Sequence, residues 1–373
     1  MITLHDKIRG CIAGSWVGSA MGAAVEGWTH ERIVEAYGWL DRLLPYKHYT
    51  AYTDWQRPAG TTEDGIERQK LMNTTAIAKG GRFTAEDLVA VWVRDLQPER
   101  MVYKQEPFDQ TLLEMARSGV PARELGRLWP FNNVNSLARA GHTIGIVNAG
   151  DPDGAAADVY DVGLVYASAQ TYALRWAALY HASIAAALRP DSTVASVCDT
   201  ALAYADYHAQ HDTPYARYDS VKREVERALE IGTRHVGDPM GMLPEFDALY
   251  YGGTHFVYAM SQANEVVCKG LAIFVASEGD ARTALLAAVN YGRDTDCVAA
   301  VTAGLAGAYS GASALDAAWI EQINAATAID PYTNSYRDID TTADGLHAVV
   351  LKGIEARRAY VDLMTGNQAW LER

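Results

Sequence analysis

The sequence has little of what marks zinc-ribbon, disulfide-rich and nucleic-acid-binding proteins. Its 373 residues include four cysteines, and none of them belongs to a Cys-x-x-Cys pair. Their spacing suits neither a structural zinc site nor a disulfide framework. No run of lysine and arginine stands out, and 32 basic against 46 acidic residues leave a net charge of −14. We therefore expect no nucleic-acid partner and no attachment to anionic lipid.

Several catalytic and targeting signatures are also missing. There is no Gly-x-Ser-x-Gly elbow, no P-loop and no Gly-x-Gly-x-x-Gly, which excludes most hydrolase triads, nucleoside triphosphatases and Rossmann enzymes. The N-terminus shows no secretory signal, so the expected location is the cytoplasm. The uncharged stretch 10–25 is too short and too rich in glycine and alanine to span a bilayer. It predicts a buried helix, and no membrane partner is expected.

The sequence favours an all-α fold. Alternating β-type runs are scarce, while Ala-rich segments with apolar residues at three- and four-residue spacing recur along the chain. They predict helices near 167–189, 192–211, 257–278, 281–291 and 296–310. Thr84 and Asp87 form a capping-box pattern for a helix at 85–96, and Gly80 would close the helix before it. No linker or repeat divides the chain, so we expect one helical domain over 1–373, with irregular segments near 41–62, 129–151 and 237–255.

The first predicted helix carries a glycine at every fourth position. Gly10, Gly14, Gly18 and Gly22 therefore form one bare ridge along it. Each glycine inside a helix costs about 1 kcal/mol relative to alanine, so the ridge needs a reason. Close packing against another helix is one reason, and a floor that lets a ligand approach the backbone is the other.

Two acidic clusters lie far apart in the sequence. Residues 60–65 read Gly-Thr-Thr-Glu-Asp-Gly, and residues 290–297 read Asn-Tyr-Gly-Arg-Asp-Thr-Asp-Cys at the start of a very apolar helix. Buried carboxylates are unfavourable unless they are paired, protonated or bound to metal. For one cluster alone, helix capping is the simpler explanation. For both together, each with a neighbouring hydroxyl residue, a shared metal site with oxygen ligands explains more.

Three blocks in a fixed order resemble one family. They are RGCIAGSWVGSAMGAAVEG at 9–27, TTEDG at 61–65 and NYGRDTDCVAAVTAGLAGAYSG at 290–311. Together they resemble the ADP-ribosylglycohydrolase superfamily, whose members hydrolyse ADP-ribose from modified proteins or related ribosides. The segment from Asn148 onward, NAGDPDG, is similar to a bacterial branch in which Asp-Thr-Asp-Cys replaces Asp-Thr-Asp-Thr.

The resemblance implies a set of metal and catalytic residues. Its metal ligands would be Thr62, Glu63, Asp64, Asp294 and Asp296, holding two Mg²⁺ ions, with Mn²⁺ as a substitute. Asp294 would bridge the two ions and take part in catalysis. Glu26, at the end of the first helix, matches an acidic residue that lies beside the reacting ribose in relatives. It is the candidate general base or gate.

Departures from the family pattern bear on the substrate. Glu63 replaces an aspartate, Cys297 replaces a hydroxyl ligand, and Ser168-Ala169-Gln170 stands where the family has Gly-Asn-Gly. Larger side chains there would narrow the pocket and favour a small riboside over a modified protein. Arg293 replaces a glycine, and would either grip a substrate phosphate or pair with an acid. The expected substrate-binding residues are Asn148, Tyr166, Ser168, Gln170 and Arg293.

The resemblance and these departures predict a metal-dependent glycohydrolase that cleaves the glycosidic bond of an ADP-ribosyl compound or a smaller riboside, with a small ribosyl or nucleotide-like substrate as its partner. Two alternatives stay open. One is a catalytically weak member that works as a ligand-binding protein. The other is elimination or glycosyl transfer on a ribosyl intermediate, with the metal as a Lewis acid. The sequence leaves the oligomeric state open.

Overall fold

Helices carry almost all the regular structure in the computed structural model of this chain. It describes residues 2–48, 50–128, 134–168, 171–205, 221–251 and 261–366. The N-terminal helices are α1 (Leu4–Gly22), α2 (His30–Tyr37), α3 (Asp64–Lys79), α4 (Ala85–Asp95), α5 (Pro98–Lys104) and α6 (Pro107–Arg117). The middle ones are α7 (Ser136–Ala140), α8 (His142–Val147), α9 (Pro152–Val162), α10 (Tyr172–Ala187) and α11 (Val194–Ala205). The last are α12 (Val221–Arg234), α13 (Leu243–Phe246), α14 (Ala263–Ala276), α15 (Ala281–Asn290), α16 (Thr295–Ser310), α17 (Ala317–Ile329) and α18 (Ile339–Thr365).

Extended chain is limited to isolated bridges. Within the described ranges there are no strands, and three single bridges join Thr29 to Gly292, Tyr46 to Arg57 and Val134 to Gln262. The predicted all-α class is therefore confirmed. None of the described helices combines the length and the apolarity needed to cross a bilayer.

The glycine ridge of α1 packs directly on the backbone of α16. A Cβ added at Gly14 would lie 2.1 Å from the carbonyl oxygen of Ala303, and one at Gly18 would lie 2.6 Å from that of Ala299. Gly10 and Gly22 meet α16 in the same way. Close helix packing therefore accounts for the whole ridge. The buried helix predicted at 10–25 is confirmed, since α1 is buried from its second turn onward.

Most of the predicted helices and end signals are confirmed. The helices predicted at 281–291 and 296–310 coincide with α15 and α16 to within one residue. Those predicted at 167–189 and 257–278 contain α10 and α14, which begin five and six residues later, and α11 covers the first part of the one predicted at 192–211. The predicted positions 169–170, 206–211 and 257–260 lie outside the described residues. Thr84 and Asp87 form the capping box of α4, with both reciprocal hydrogen bonds present. Gly80 ends α3 in the left-handed conformation, with φ of 71°.

The expected irregular segments are only partly irregular. The stretch between α2 and α3 has no helix in its described residues, as predicted. The other two expectations are wrong where the chain is described, because α7, α8 and α13 form there. These helices span four to six residues. Such short helices leave no periodic pattern and depend on tertiary packing.

The contact between α1 and α16 can be tested by adding one methyl group. Gly14→Ala is expected to lower the free energy of unfolding by about 3 kcal/mol, because the new Cβ overlaps a backbone carbonyl that cannot rotate away. Gly353→Ala is the matched control, since nothing lies within 4 Å of a Cβ at that position on α18. It should be neutral or stabilise by up to about 1 kcal/mol. Urea unfolding measures both, and equal effects would contradict the packing argument.

Candidate active site

The starts of two helices bring the acidic clusters together. Glu63 caps α3, where its carboxylate accepts a hydrogen bond from the backbone N–H of Gly65 at 2.7 Å. Asp294 occupies the cap position of α16, and Asp296 lies in its first turn. Glu63, Asp64, Asp294 and Asp296 are all at most 2 % exposed. Four buried carboxylates at the positive ends of two helix dipoles need further positive charge.

Arg139, on α7, joins the two clusters. Its Nη2 lies 2.9 Å from Glu63 Oε2 and 2.5 Å from Asp64 Oδ2, and its Nη1 lies 2.8 Å from Asp296 Oδ2. The arginine side chain is only 8 % exposed. Burial alone would raise the pKa of Asp64, but the guanidinium groups of Arg139 and Arg68 hold it well below its usual range. Arg139 is therefore an internal counterion for carboxylates from both helices.

Asp294 and Asp296 keep unpartnered oxygens. Asp294 Oδ2 accepts a hydrogen bond from Asn135 Nδ2 at 3.2 Å, while Oδ1 of each aspartate is buried without a partner among the described residues. Burial and the neighbouring Asp296 raise the pKa of Asp294 well above its usual range. Ligand atoms of Asp294, Asp296 and Cys297 lie within 4.8 Å of one another. Two unpartnered carboxylate oxygens fit a hard divalent cation.

The Glu63 side and the Asp294–Asp296 side of the cluster differ in whether they can bind a cation. On the Glu63 side, Ser19 donates to Glu63 Oε1, Arg139 contacts Oε2, and burial raises the pKa of Glu63 to about 8. The hydroxyl of Thr62 accepts from Lys70 Nζ at 3.0 Å. The Asp294–Asp296 side therefore fits one cation, whereas Arg139 already supplies positive charge to the other side. The expected pair of cations stays a prediction.

Cys297 contributes little to a magnesium site. Burial raises the pKa of its thiol well above the usual range, so the sulfur is uncharged at neutral pH. Arg139 Nη1 donates to this sulfur at 2.8 Å. A neutral, soft sulfur is a poor ligand for Mg²⁺. The carboxylate oxygens of Asp294 and Asp296 are the donors suited to that ion.

Glu26 faces the cluster from the end of α1. It follows the 3₁₀ turn Ala23–Val25, and its Oε2 lies 3.0 Å from His48 Nε2. Burial alone would raise the pKa of Glu26, but the adjacent His48 outweighs burial and holds it below the usual range. Glu26 in turn raises the pKa of His48. The pair thus favours an ionised carboxylate beside an imidazolium.

A cleft of about 100 Å³ opens over these groups. That is room for about three water molecules. Its polar lining is Glu26, His48, Asp64, Arg68, Glu106, Asn135, Arg139, Ser261 and Asp294, with Val134 and Cys297 beside them. Of the predicted catalytic and metal residues, Glu26, Asp64 and Asp294 line the cleft. Glu63 and Asp296 lie against it through Arg139, and Thr62 points to Lys70 instead.

Four of the expected substrate-binding residues do not line the cleft: Asn148, Tyr166, Ser168 and Arg293. Asn148 is buried and donates to Asp158 Oδ2 at 2.7 Å. Ser168 Oγ lies 3.5 Å from the carbonyl oxygen of Gly126. Tyr166 is buried one layer behind the cleft, with its ring centre 5.9 Å from the guanidinium carbon of Arg68.

Arg293 pairs with an acidic residue, which is one of the two roles that the sequence analysis expected for it. Its Nε and Nη2 lie 2.6 and 2.8 Å from the two carboxylate oxygens of Glu265. The residue also adopts a left-handed backbone, with φ of 68°, in the turn that leads into α16. Gln170, the remaining expected substrate residue, lies outside the described residues.

Several cleft residues were missed in the sequence, and some carried a signal. Arg68 follows Asp64 by one helical turn, and the two form an ion pair at 3.0 Å. Asn135 and Arg139 have the same spacing in a stretch that was expected to be irregular. His48 lies in the non-helical chain between α2 and α3, and Glu106 is the cap residue before α6, so neither belongs to a periodic pattern.

Comparison with known proteins identifies the family. The ADP-ribosylglycohydrolase family profile matches residues 1–353. The chain belongs to the ADP-ribosylglycohydrolase family. A relative, the uncharacterized protein YegU of Escherichia coli (strain K12), is 25% identical over 334 residues, covering 87% of this chain and 94% of that protein. A solved structure, an ADP-ribosylglycohydrolase-related protein complex, superposes with a TM-score of 0.63 at 17% identity, covering 94% of this chain and 100% of that one.

Family membership sets the general class of reaction. ADP-ribosylglycohydrolases act on ribosyl or ADP-ribosyl compounds by hydrolysing glycosidic bonds. Such a reaction develops positive charge at the anomeric carbon, and nearby carboxylates stabilise it. The buried acidic cluster of this family member is suited to that charge.

The counterion role of Arg139 can be tested by a neutral replacement. Arg139→Met removes the counterion shared by Glu63, Asp64 and Asp296, of which Asp64 alone keeps the second arginine Arg68. The free energy of unfolding should therefore fall by about 3–5 kcal/mol in the presence of chelator. Added Mg²⁺ should restore part of it, because a cation that binds the folded state stabilises it. Urea unfolding with and without Mg²⁺ is the measurement. Arg94→Met, at an exposed ion pair with Asp95, is the control, and an Arg139 variant as stable as that control would contradict the assignment.

Proposed function

We propose that this protein hydrolyses the ribosyl glycosidic bond of a small, nucleotide-like compound, with one divalent cation held by Asp294 and Asp296. The observation that carries the proposal is the pair of unpartnered, buried oxygens on these two residues, beside the ionised Glu26. A second observation supports it, since the cleft above them admits water-sized groups.

Each group has a distinct task in this reaction. When bound, a Mg²⁺ ion supplies positive charge with which ribose hydroxyls and water can interact. Glu26 accepts a proton from the water that attacks the anomeric carbon, and its negative charge stabilises the oxocarbenium-like transition state. His48 positions Glu26 through the 3.0 Å contact. Arg139 holds Asp64 and Asp296 in place across the cleft.

The size of the cleft favours a small substrate. Sites for drug-sized ligands usually occupy about 300–1,000 Å³, whereas this cleft holds about 100 Å³. It therefore suits one sugar ring close to the carboxylates.

Metal binding gives the first test of the proposal. Titration calorimetry of chelator-treated protein should show binding of about one equivalent of Mg²⁺ or Mn²⁺, and Asp294→Asn should weaken it at least about tenfold, because a charged ligand becomes neutral. Glu35→Gln is the control, at an exposed position on α2. Turnover of ADP-ribose and small ribosides, followed by chromatography, should stop in chelator and in Asp294→Asn. Metal-independent turnover would refute the cation.

Glu26 can be tested separately from metal binding. Glu26→Gln removes the proton acceptor but keeps the shape, so kcat should fall about 100-fold or more while Mg²⁺ affinity stays near that of the parent protein. Steady-state kinetics and calorimetry on the same preparation make the comparison. An unchanged kcat would show that Glu26 takes no part in the reaction.

The contacts of Arg139 with three buried carboxyl groups favour a second candidate function. A guanidinium that contacts Glu63, Asp64 and Asp296 stabilises the fold without a metal ion, so the protein could bind an anionic or polar ligand with no catalysis, as a ligand-binding member of the family. The same titrations separate the two functions. A protein that binds ADP-ribose but neither Mg²⁺ nor Mn²⁺, and that turns over no riboside, would be the binding protein.

A further inference from the structure

A second cavity adjoins the cleft. It holds about 140 Å³ and lies where the end of α5 and the start of α6 meet the chain that follows His48. Glu106 lines both this cavity and the cleft. The two spaces are therefore neighbours that share Glu106 in their walls.

The walls of the second cavity are mostly apolar. Tyr52, Met101, Val102 and Pro107 contribute to them, and Tyr52 is a flat ring that is 58% exposed. An exposed aromatic ring beside aliphatic side chains is a surface on which a planar molecule can stack. This chemistry differs from that of the cleft, which is lined by charged and amide groups.

Gln105 adds a polar contact to this apolar cavity. The residue is 2% exposed, and both its Nε2 and its Oε1 are buried without a hydrogen-bond partner among the described residues. An unsatisfied buried amide is unusual in a folded protein. A carboxamide presents a donor and an acceptor side by side, which matches the adjacent N–H and C=O of a heterocyclic lactam or carboxamide.

Glu106 connects this cavity to the reacting carboxylates. Its Oε2 lies 3.0 Å from Arg68 Nη2, and Arg68 Nη1 lies 3.0 Å from Asp64 Oδ2. Burial, assisted by the carboxylate of Asp64, raises the pKa of Glu106 to about 7. The Glu106 carboxyl is therefore partly protonated at neutral pH, and it lines the cleft in which the sugar would bind.

We propose that the second cavity is the leaving-group subsite, which takes a planar heterocyclic base stacked on Tyr52 and hydrogen-bonded to Gln105, and that Glu106 protonates the departing atom. This rests on the proposed glycohydrolase function. In the reaction, the water oxygen bonds to the anomeric carbon, and the bond from that carbon to the base breaks. The electron pair leaves with the base, which takes the proton of Glu106. The proton of the water goes to Glu26, and solvent returns Glu106 and Glu26 to their starting states.

Binding of free bases tests the subsite without any need for turnover. The probes are hypoxanthine, uracil and nicotinamide, each followed by ligand-observed saturation-transfer NMR and competition. At least one should bind, and Tyr52→Ala and Gln105→Leu should each weaken it about tenfold or more, the loss expected for one stacking or hydrogen-bonding partner. Tyr360→Ala and Gln56→Leu, at exposed positions outside the cavity, should leave it unchanged. No binding by any probe, or equal binding by all variants, would overturn the subsite.

Leaving-group dependence tests Glu106 itself. Glu106→Gln should slow hydrolysis of inosine or uridine about 100-fold, because their bases must be protonated to depart. Nicotinamide riboside should be hydrolysed at nearly the parental rate, because its base leaves as a neutral molecule without a proton. A purely structural role would slow all of them alike and would overturn the assignment. If the parent protein hydrolyses no riboside, the proposed function and the role of Glu106 both fall, while the base-binding result still decides the subsite.

Discussion

Four buried carboxyl groups meet at the cleft, with Arg139 between them and Arg68 beside Asp64, and the rest of the site is arranged around this concentration of acidic groups. Arg139 contacts Glu63, Asp64 and Asp296, and Asn135 reaches Asp294. In this buried, low-dielectric setting the two guanidiniums do not satisfy all four groups, and burial raises the pKa of both Glu63 and Asp294. The oxygens left without partners among the described residues lie on the Asp294–Asp296 side, where a cation or a positively charged transition state would be stabilised.

The fold supplies this arrangement by pointing helix starts at one place. α3 and α16 begin at the cluster, and their free N–H groups favour negative charge there. α1 contributes Glu26 because its end packs against the start of α16, where the hydroxyl of Thr295 donates to the carbonyl of Gly22 at 2.7 Å. Residues that lie hundreds of positions apart in the sequence are thereby brought within a few ångströms of one another.

The sequence was informative where a pattern is local. The long helices, the capping box at Thr84 and the two acidic helix starts all follow from spacing and residue type. Arg139 was missed because a five-residue helix shows no period, and its role depends on contacts with three distant carboxylates. Asn148 and Ser168 were assigned to the substrate by resemblance alone, yet their partners in the fold are Asp158 and Gly126. Whether two cations bind is a question of local charge balance, which a linear sequence does not display.

The glycine ridge of α1 also has a consequence for motion. Each glycine faces one particular turn of α16, so sliding or rotating either helix would bring side chains onto the opposing backbone. Tightly interlocked surfaces of this kind resist shear. The ends of α1 and α16 are therefore fixed relative to one another, which holds Glu26 and Asp294 at a constant separation beside the cleft.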